Sequence, residues 1–167
     1  SFLGGNAAAT ASECKITREQ VQAQSNKIRL TDSNLEDKLD LFCYNHCDNN
    51  DPRLVKDCRG VVFSGDNIVV RGFPYTDEYT TSDDSFKEFK DHLSDDFKSY
   101  RFYEAREGTL LRVFYWGTKW YISTHRKLDA FRSKWASKES FGQIFKNALQ
   151  HLYDTKDEGF IKQLSLD

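Results

Sequence analysis

The alternation of bulky apolar and polar residues is clearest between Tyr103 and Ser123. There Leu111, Val113 and Phe114, then Trp120, Tyr121 and Ile122, flank Trp116-Gly117-Thr118. This spacing predicts a β-hairpin with 116–118 as its turn, preceded by a strand from Tyr103 that ends near Gly108. The predicted pairing sets Leu111 and Val113 against Ser123 and Tyr121, and Arg112 and Phe114 against Ile122 and Trp120. A second hairpin is predicted from residues 56–63, through Ser64-Gly65-Asp66-Asn67, to residues 68–75. Helical spacing appears elsewhere. Thr17-Arg18-Glu19-Gln20 is a capping box for a short helix to about Ser25, and Ser33 and Glu36 suggest another, with Leu35, Leu39 and Phe42 on one face. Asn49-Asn50-Asp51-Pro52 interrupts that helix. Residues 80–98 form an acidic helix with Phe86, Phe89 and Leu93 at helical spacing, and 129–135 a short helix or turn. From Ser140 an amphipathic helix carries Phe141, Ile144, Phe145, Ala148, Leu149 and Leu152 as one stripe, read as core.

These elements define an α+β chain: a mostly antiparallel sheet from two β-hairpins, with an amino-terminal helical pair and a carboxy-terminal helix at its flanks. Residues 1–50 are assigned to a flexible amino terminus and the helical pair, and 51–167 to the core. At 167 residues with 38% hydrophobic content the chain is long enough for a sizeable core. No apolar run of about 18 residues is present, so no membrane-spanning helix is expected. The absence of methionine predicts that Ser1 is not a translational start.

A net charge of −2 excludes a globally basic nucleic-acid coat. The distribution is uneven, however. Acids crowd between Asp77 and Asp96, whereas Arg106, Arg112, Lys119, Arg126, Lys127, Arg132 and Lys134 follow one another, so one cationic cleft is compatible with the acidic total. Cys14, Cys43, Cys47 and Cys58 follow no secreted disulfide framework and read as reduced thiols of a cytoplasmic protein. Cys43 and Cys47 would share a helix face with His46 between them. Zinc needs a fuller ligand set, and buried helical thiols with no metal is the preferred reading.

Two motifs carry a family resemblance. Ala105-Arg106-Glu107-Gly108 matches a Lys-x-Asp/Glu-Gly signature at every position but the first, and Cys58-Arg59-Gly60-Val61-Val62-Phe63 matches a Cys/Ala-Arg-Gly-hydrophobic-hydrophobic-Phe strand. On these residues the chain resembles the covalent nucleotidyltransferases, most closely the RNA ligases of phages and large DNA viruses. The resemblance runs over about residues 57–145 and covers the front half of the nucleotidyltransferase core. It departs from the family in order, since the Arg59 strand precedes Ala105, and on the return strand, where Gly72 stands in place of proline and Tyr75 in place of lysine. No later Lys-x-Lys strand follows.

The resemblance implies an ATP or GTP ligand, with Arg59 meeting the nucleotide or its phosphates, Glu107 binding ribose or orienting the site, and Gly108 letting the backbone pass close to it. In the family, a strand-end lysine attacks the α-phosphate and holds the nucleotide as a phosphoramidate. Ala105 occupies that position and offers no nucleophile. Arg106 does not replace it, because strand alternation turns it to the opposite face and guanidinium stays protonated. No catalytic residue and no required cofactor is therefore expected, and Mg²⁺ enters only if an active parent protein exists.

Phosphate-directed cations are expected from Arg59, Arg112, His125, Arg126 and Lys127. Trp116, Trp120, Tyr121 and Trp135 are either base-stacking residues or core, and His125 is either a phosphate contact or a structural hydrogen-bonder. No phosphate loop, dinucleotide fingerprint or Ser/His/Asp arrangement occurs. Three functional readings follow. The first is an inactive binding module for a nucleotide or RNA 5′ end, including a cap. The second is an RNA ligase or nucleotidyltransferase of which this chain is a truncated or lysine-replaced version. The third is a protein-interaction scaffold whose partner docks on the acidic helix, around Asp83 and Asp84.

Overall fold

The computed structural model describes residues 16–82, 84–95, 97–104 and 107–154. In chain order the elements are α1 (Arg18–Ala23), β1 (Ile28–Asn34), β2 (Leu39–Tyr44), α2 (Arg53–Asp57), β3 (Arg59–Ser64), β4 (Asn67–Val70), α3 (Asp84–Asp95), β5 (Arg112–Trp116), β6 (Lys119–Ser123) and α4 (Phe141–Asp154). Single 3-10 turns lie at Phe97–Ser99 and Ala130–Arg132. The fold is α+β, with an antiparallel four-stranded sheet in the order β1-β2-β3-β4 and a separate two-stranded sheet from β5 and β6.

The larger sheet is buried on both faces. On one, Phe42, Val61 and Phe63 pack with Val21 of α1, Val55 of α2, Ile16, Ile28 and Cys58. On the other, Leu39, Leu41 and Val62 pack with Tyr121 and Leu128, and Val70, Phe114 and Trp116 close the edges. This double burial explains why β2 and β3 read as nearly unbroken apolar runs rather than as alternating strands.

It also explains the main correction to the sequence reading. The second helix expected after Ser33 is the β1–β2 hairpin. What resembled a capping box is turn chemistry: the Asn34 side-chain oxygen accepts from the Asp37 amide at 3.0 Å, its amide donates to the Asp37 carboxylate at 3.0 Å, and Lys38 adopts a φ of 55°. Leu39 and Phe42 thus lie on opposite faces of a strand, and residues on both sides of position 50 belong to one sheet. Cys43 and Cys47 share no helix face: Cys43 is in β2 and Cys47 in the following loop, although they and Cys58 are buried free thiols.

Other expectations held. The capping box at Thr17 is formed in full, with the Gln20 amide donating to Thr17 Oγ1 at 3.2 Å and the Thr17 amide to Gln20 Oε1 at 3.0 Å. The 64–67 turn joins β3 to β4, and the acidic helix is α3, where Phe89 stacks on Tyr79 with centroids 5.3 Å apart.

The β5–β6 hairpin forms with its expected turn but one residue out of the expected register. Arg112 pairs with Ser123, Val113 with Ile122, Phe114 with Tyr121 and Tyr115 with Trp120. A slip of one residue exchanges which side chains share a face. Here it places Arg112, Phe114 and Tyr121 inward on the larger sheet, and Phe114 stacks on Tyr121 with centroids 5.1 Å apart. Among the described residues the strand expected from Tyr103 does not form: residues 101–104 and 107–108 carry no strand and Tyr103 is exposed. The Ala105 and Arg106 positions, like Cys14 and Asp83, lie outside the described residues. The α4 stripe is not core either. Leu149 is buried, but Ile144 and Leu152 are exposed, because the helix packs on the Ala130–Arg132 turn rather than across a sheet. No helix among the described residues is long and apolar enough to cross a membrane.

Candidate functional site

Arg112 begins β5, and the register just described turns it toward the larger sheet. Its guanidinium donates one hydrogen bond to the Gly60 carbonyl in β3 and another, of 2.6 Å, to the Thr124 carbonyl just after β6. One side chain thereby ties both sheets together, and it is only 8% exposed. Its Nε is a buried donor with no partner.

The loop after β6 closes on itself. The Thr124 amide donates to the Lys127 carbonyl at 2.9 Å, while Thr124 Oγ1 accepts from the Lys127 and Arg126 amides at 3.0 and 3.2 Å. This tight turn presses the His125 backbone onto β3, which is possible because residue 60 is a glycine with a φ of 81°. It sends Arg126 outward, where the guanidinium donates to the Asn45 carbonyl at 3.4 Å.

The chain leaving β4 closes the third side. A β-carbon at Gly72 would lie 2.8 Å from the Arg59 carbonyl oxygen, so only glycine permits this approach. Together Arg59, Gly72, Phe73, Gly108, Arg112 and His125, with Thr109 and Leu110, line a cavity of about 120 Å³. That is a few water volumes, enough for a phosphoryl group and well below the roughly 300 Å³ at which pockets enclose larger ligands.

The cavity is electrostatically one-sided. Burial, followed by the charges of Arg126, Arg59 and Arg112, holds the His125 imidazole below its ordinary pKa. Burial pushes Arg112 down to about 10, which still leaves it a cation at neutral pH. Cys43, beneath the cluster, is pushed up by burial against the opposing pull of Arg126 and Arg59, so it is a thiol. Among the described residues no carboxylate forms an ion pair with Arg59, Arg112 or Arg126. A buried cation beside two others, without a paired carboxylate among the described residues, gives the cavity a charge that suits an anion better than a cation. No carboxylate lines it, so it does not suit a hard divalent cation such as Mg²⁺. Among the described residues no three His, Cys, Asp or Glu side chains form a metal-holding group.

Of the residues singled out in the sequence, the structure brings Arg59, Gly108, Arg112 and His125 together, with Arg126 at the rim. Glu107 is exposed beside Gly108, and Lys127 contributes its backbone to the 124–127 turn; neither lines the cavity. The aromatic candidates divide. Tyr121 is buried, and half-buried Trp116 donates its indole N–H to the Asp37 carbonyl at 3.2 Å, whereas Trp120 and Trp135 are exposed. Gly60, Gly72, Phe73, Thr109 and Leu110 were not singled out as site residues. The signal for the first two was a glycine inside a strand pattern, which marks close backbone approach.

The fold and cavity define an α+β protein segment with a small cationic cleft between two sheets. The chain is 46% identical over 121 residues to the immediate-early protein ICP-46 homolog of Invertebrate iridescent virus 6, a match covering 71% of this chain and 25% of that protein. It is 52% identical over 60 residues to the homolog of Invertebrate iridescent virus 3, covering 36% and 13%. It is 32% identical over 96 residues to immediate-early protein ICP-46 of Frog virus 3, covering 57% and 22%. The matches thus span a quarter or less of the length of these curated relatives. No protein-family model matches the chain, and no solved structure matches it.

Proposed function

We propose that this segment binds a phosphorylated nucleotide or the 5′ end of an RNA, as a nucleotidyltransferase-like binding module without its own nucleophile. The observation that carries the reading is the convergence of Arg59, Arg112 and His125 on one phosphoryl-sized cavity that holds no carboxylate. Arg59 and Arg112 supply donors and charge for the phosphate, Gly108 keeps the wall low, and the base and sugar lie outside the cavity. The viral relatives support a viral origin, with action in the host cytoplasm as part of the proposal.

Calorimetric titration with ATP, GTP, a methylated cap analogue, a 5′-phosphorylated RNA and its 5′-hydroxyl twin tests this. Saturable binding of the phosphorylated ligands, about tenfold weaker in Arg59→Ala and for the 5′-hydroxyl RNA, is the expected result. Absence of heat with every ligand overturns it.

A second reading is favoured by the length of the relatives. The chain matches a quarter of the iridescent virus 6 protein, which leaves room elsewhere for the phosphate-binding strand that nucleotidyl transfer requires. Under it, this segment is the nucleotide-holding part of an RNA ligase or related enzyme. Incubating the full-length relative with α-labelled ATP or GTP distinguishes the two: a covalent adduct supports the enzyme, and binding without adduct supports the module.

A further inference from the structure

The outward face of the β5–β6 hairpin carries a feature that the cationic cavity does not use. Tyr115 and Trp120 are cross-strand partners there, edge to face with centroids 5.4 Å apart, and they are 55% and 36% exposed. They line an open concavity of about 630 Å³ together with Phe131, Lys119 and Asn34. Phe131 is 44% exposed. Its ring is held by close packing on Gly142 of α4, where a β-carbon would come within 2.5 Å of it.

Phe131 also forms the wall of an adjoining concavity of about 530 Å³, whose other walls include Arg132, Lys134 and Lys138. None of these three cations forms an ion pair among the described residues. Two carboxylates also line these walls, Asp129 in the first concavity and Glu139 in the second; Asp129 accepts from the Phe131 amide at 2.8 Å and Glu139 from the Asn147 side-chain amide at 3.0 Å, which leaves three cations to one carboxylate in the second. Trp135, between the cations in sequence, is 81% exposed.

We propose that this surface binds single-stranded nucleic acid, with bases stacking on Tyr115, Trp120 and Phe131 and the backbone running along Arg132, Lys134 and Lys138. Exposed aromatic faces beside unpaired cations match the two things a single strand offers at once, free base faces and a regular line of phosphates. A duplex offers only the phosphates, because its bases stack on one another. A purely apolar protein partner would leave the row of cations without counter-charge. Tyr115 and Trp120 lie on the side of the hairpin opposite Arg112, and no residue lining the proposed phosphate cavity lines either concavity, so the two sites are separate.

The test uses a single-stranded oligouridine of roughly 12 nucleotides, with a 5′-hydroxyl and a 3′ fluorophore, followed by fluorescence anisotropy. Quenching of tryptophan emission on titration with the unlabelled strand is the second readout. Trp120→Ala and Tyr115→Ala are each expected to weaken binding about 5-fold or more. The Lys134→Glu/Lys138→Glu double variant should weaken it and flatten its salt dependence. Arg59→Ala should leave it unchanged, which separates this surface from the cavity. Circular dichroism and melting of each variant confirm that the fold persists. The proposal is overturned if the strand does not bind, if a duplex of the same length binds as well, or if the aromatic variants bind like the parent. It is also overturned if removing Tyr115 and Trp120 instead abolishes self-association, which would make the face a protein interface.

Discussion

A β-carbon on Gly60 would lie 2.8 Å from both the Cα and the carbonyl oxygen of His125, so the loop carrying His125 rests directly on the β3 backbone. Neither backbone has room to retreat, since the Gly60 carbonyl is also held by Arg112. Gly60→Ala combines this collision with a left-handed φ of 81°. It is expected to cost about 2–4 kcal/mol and to lower the melting temperature by several degrees. A variant that melts with the parent would show that the two backbones are not in contact.

Arg112 is expected to matter for stability as well as for binding. Arg112→Met leaves the Gly60 and Thr124 carbonyls without their donor inside a buried site, at a cost of about 2–4 kcal/mol. Arg112→Lys keeps the charge but cannot bridge both carbonyls with a planar fork, and should recover only part of the loss. Urea denaturation of the three proteins measures this order directly, and equal stability for Lys and Arg would refute the bridging role.

The depressed pKa of His125 sets a pH dependence with a definite sign. The unfolded chain takes up a proton near the ordinary value of about 6.5, whereas the folded chain resists it because of burial and the surrounding arginines. Stability is therefore complete above that value and declines as pH falls below it, until the folded value is reached. His125→Gln should remove this part of the slope between neutral and mildly acidic pH. A bound phosphate would favour the protonated imidazole, so phosphate affinity should rise over the same interval in the parent and stay flatter in the variant. Proton titration of His125 by NMR, with and without phosphate, checks both statements.

At the other end of the hairpin, Asp37 accepts from Lys119 at 2.7 Å and from the Tyr121 hydroxyl and Asn34. These bonds, Lys119 first and Tyr121 second, hold its carboxyl below the usual range, and burial together with Asp37 pushes Tyr121 up to about 12. Tyr121→Phe is expected to move the Asp37 pKa upward and to weaken the acid limb of stability, because a depressed carboxylate contributes above its unfolded pKa and loses that contribution as pH falls. Carboxyl titration by NMR in both proteins reads the shift; an unmoved Asp37 would show that Lys119 alone sets it.

Much of the local structure was legible because its causes are local. Thr17 and Gln20 specify a capping box within four residues, and Gly65 and Gly117 mark turns whatever surrounds them. The sequence likewise singled out Arg59 and Gly108 through the family resemblance, and Arg112 and His125 as phosphate-directed cations of the central hairpin. It did not reveal that Leu39–Tyr44 form a strand. Helical and strand spacing coincide over so short an apolar run, and the choice between them depends on which faces the rest of the chain covers.

The sequence by itself determined the α+β class, the two glycine turns and the separation of acids in α3 from cations in the segment that follows. These depend on composition, spacing and backbone preference. Only the tertiary structure decided the hairpin register, and with it whether Arg112 pointed to the protein or to solvent. A one-residue slip costs little within the hairpin itself, but packing Phe114 and Tyr121 against Leu39, Leu41 and Val62 admits a single register. That long-range burial carries Arg112 to Gly60 and Thr124, and so assembles the cavity.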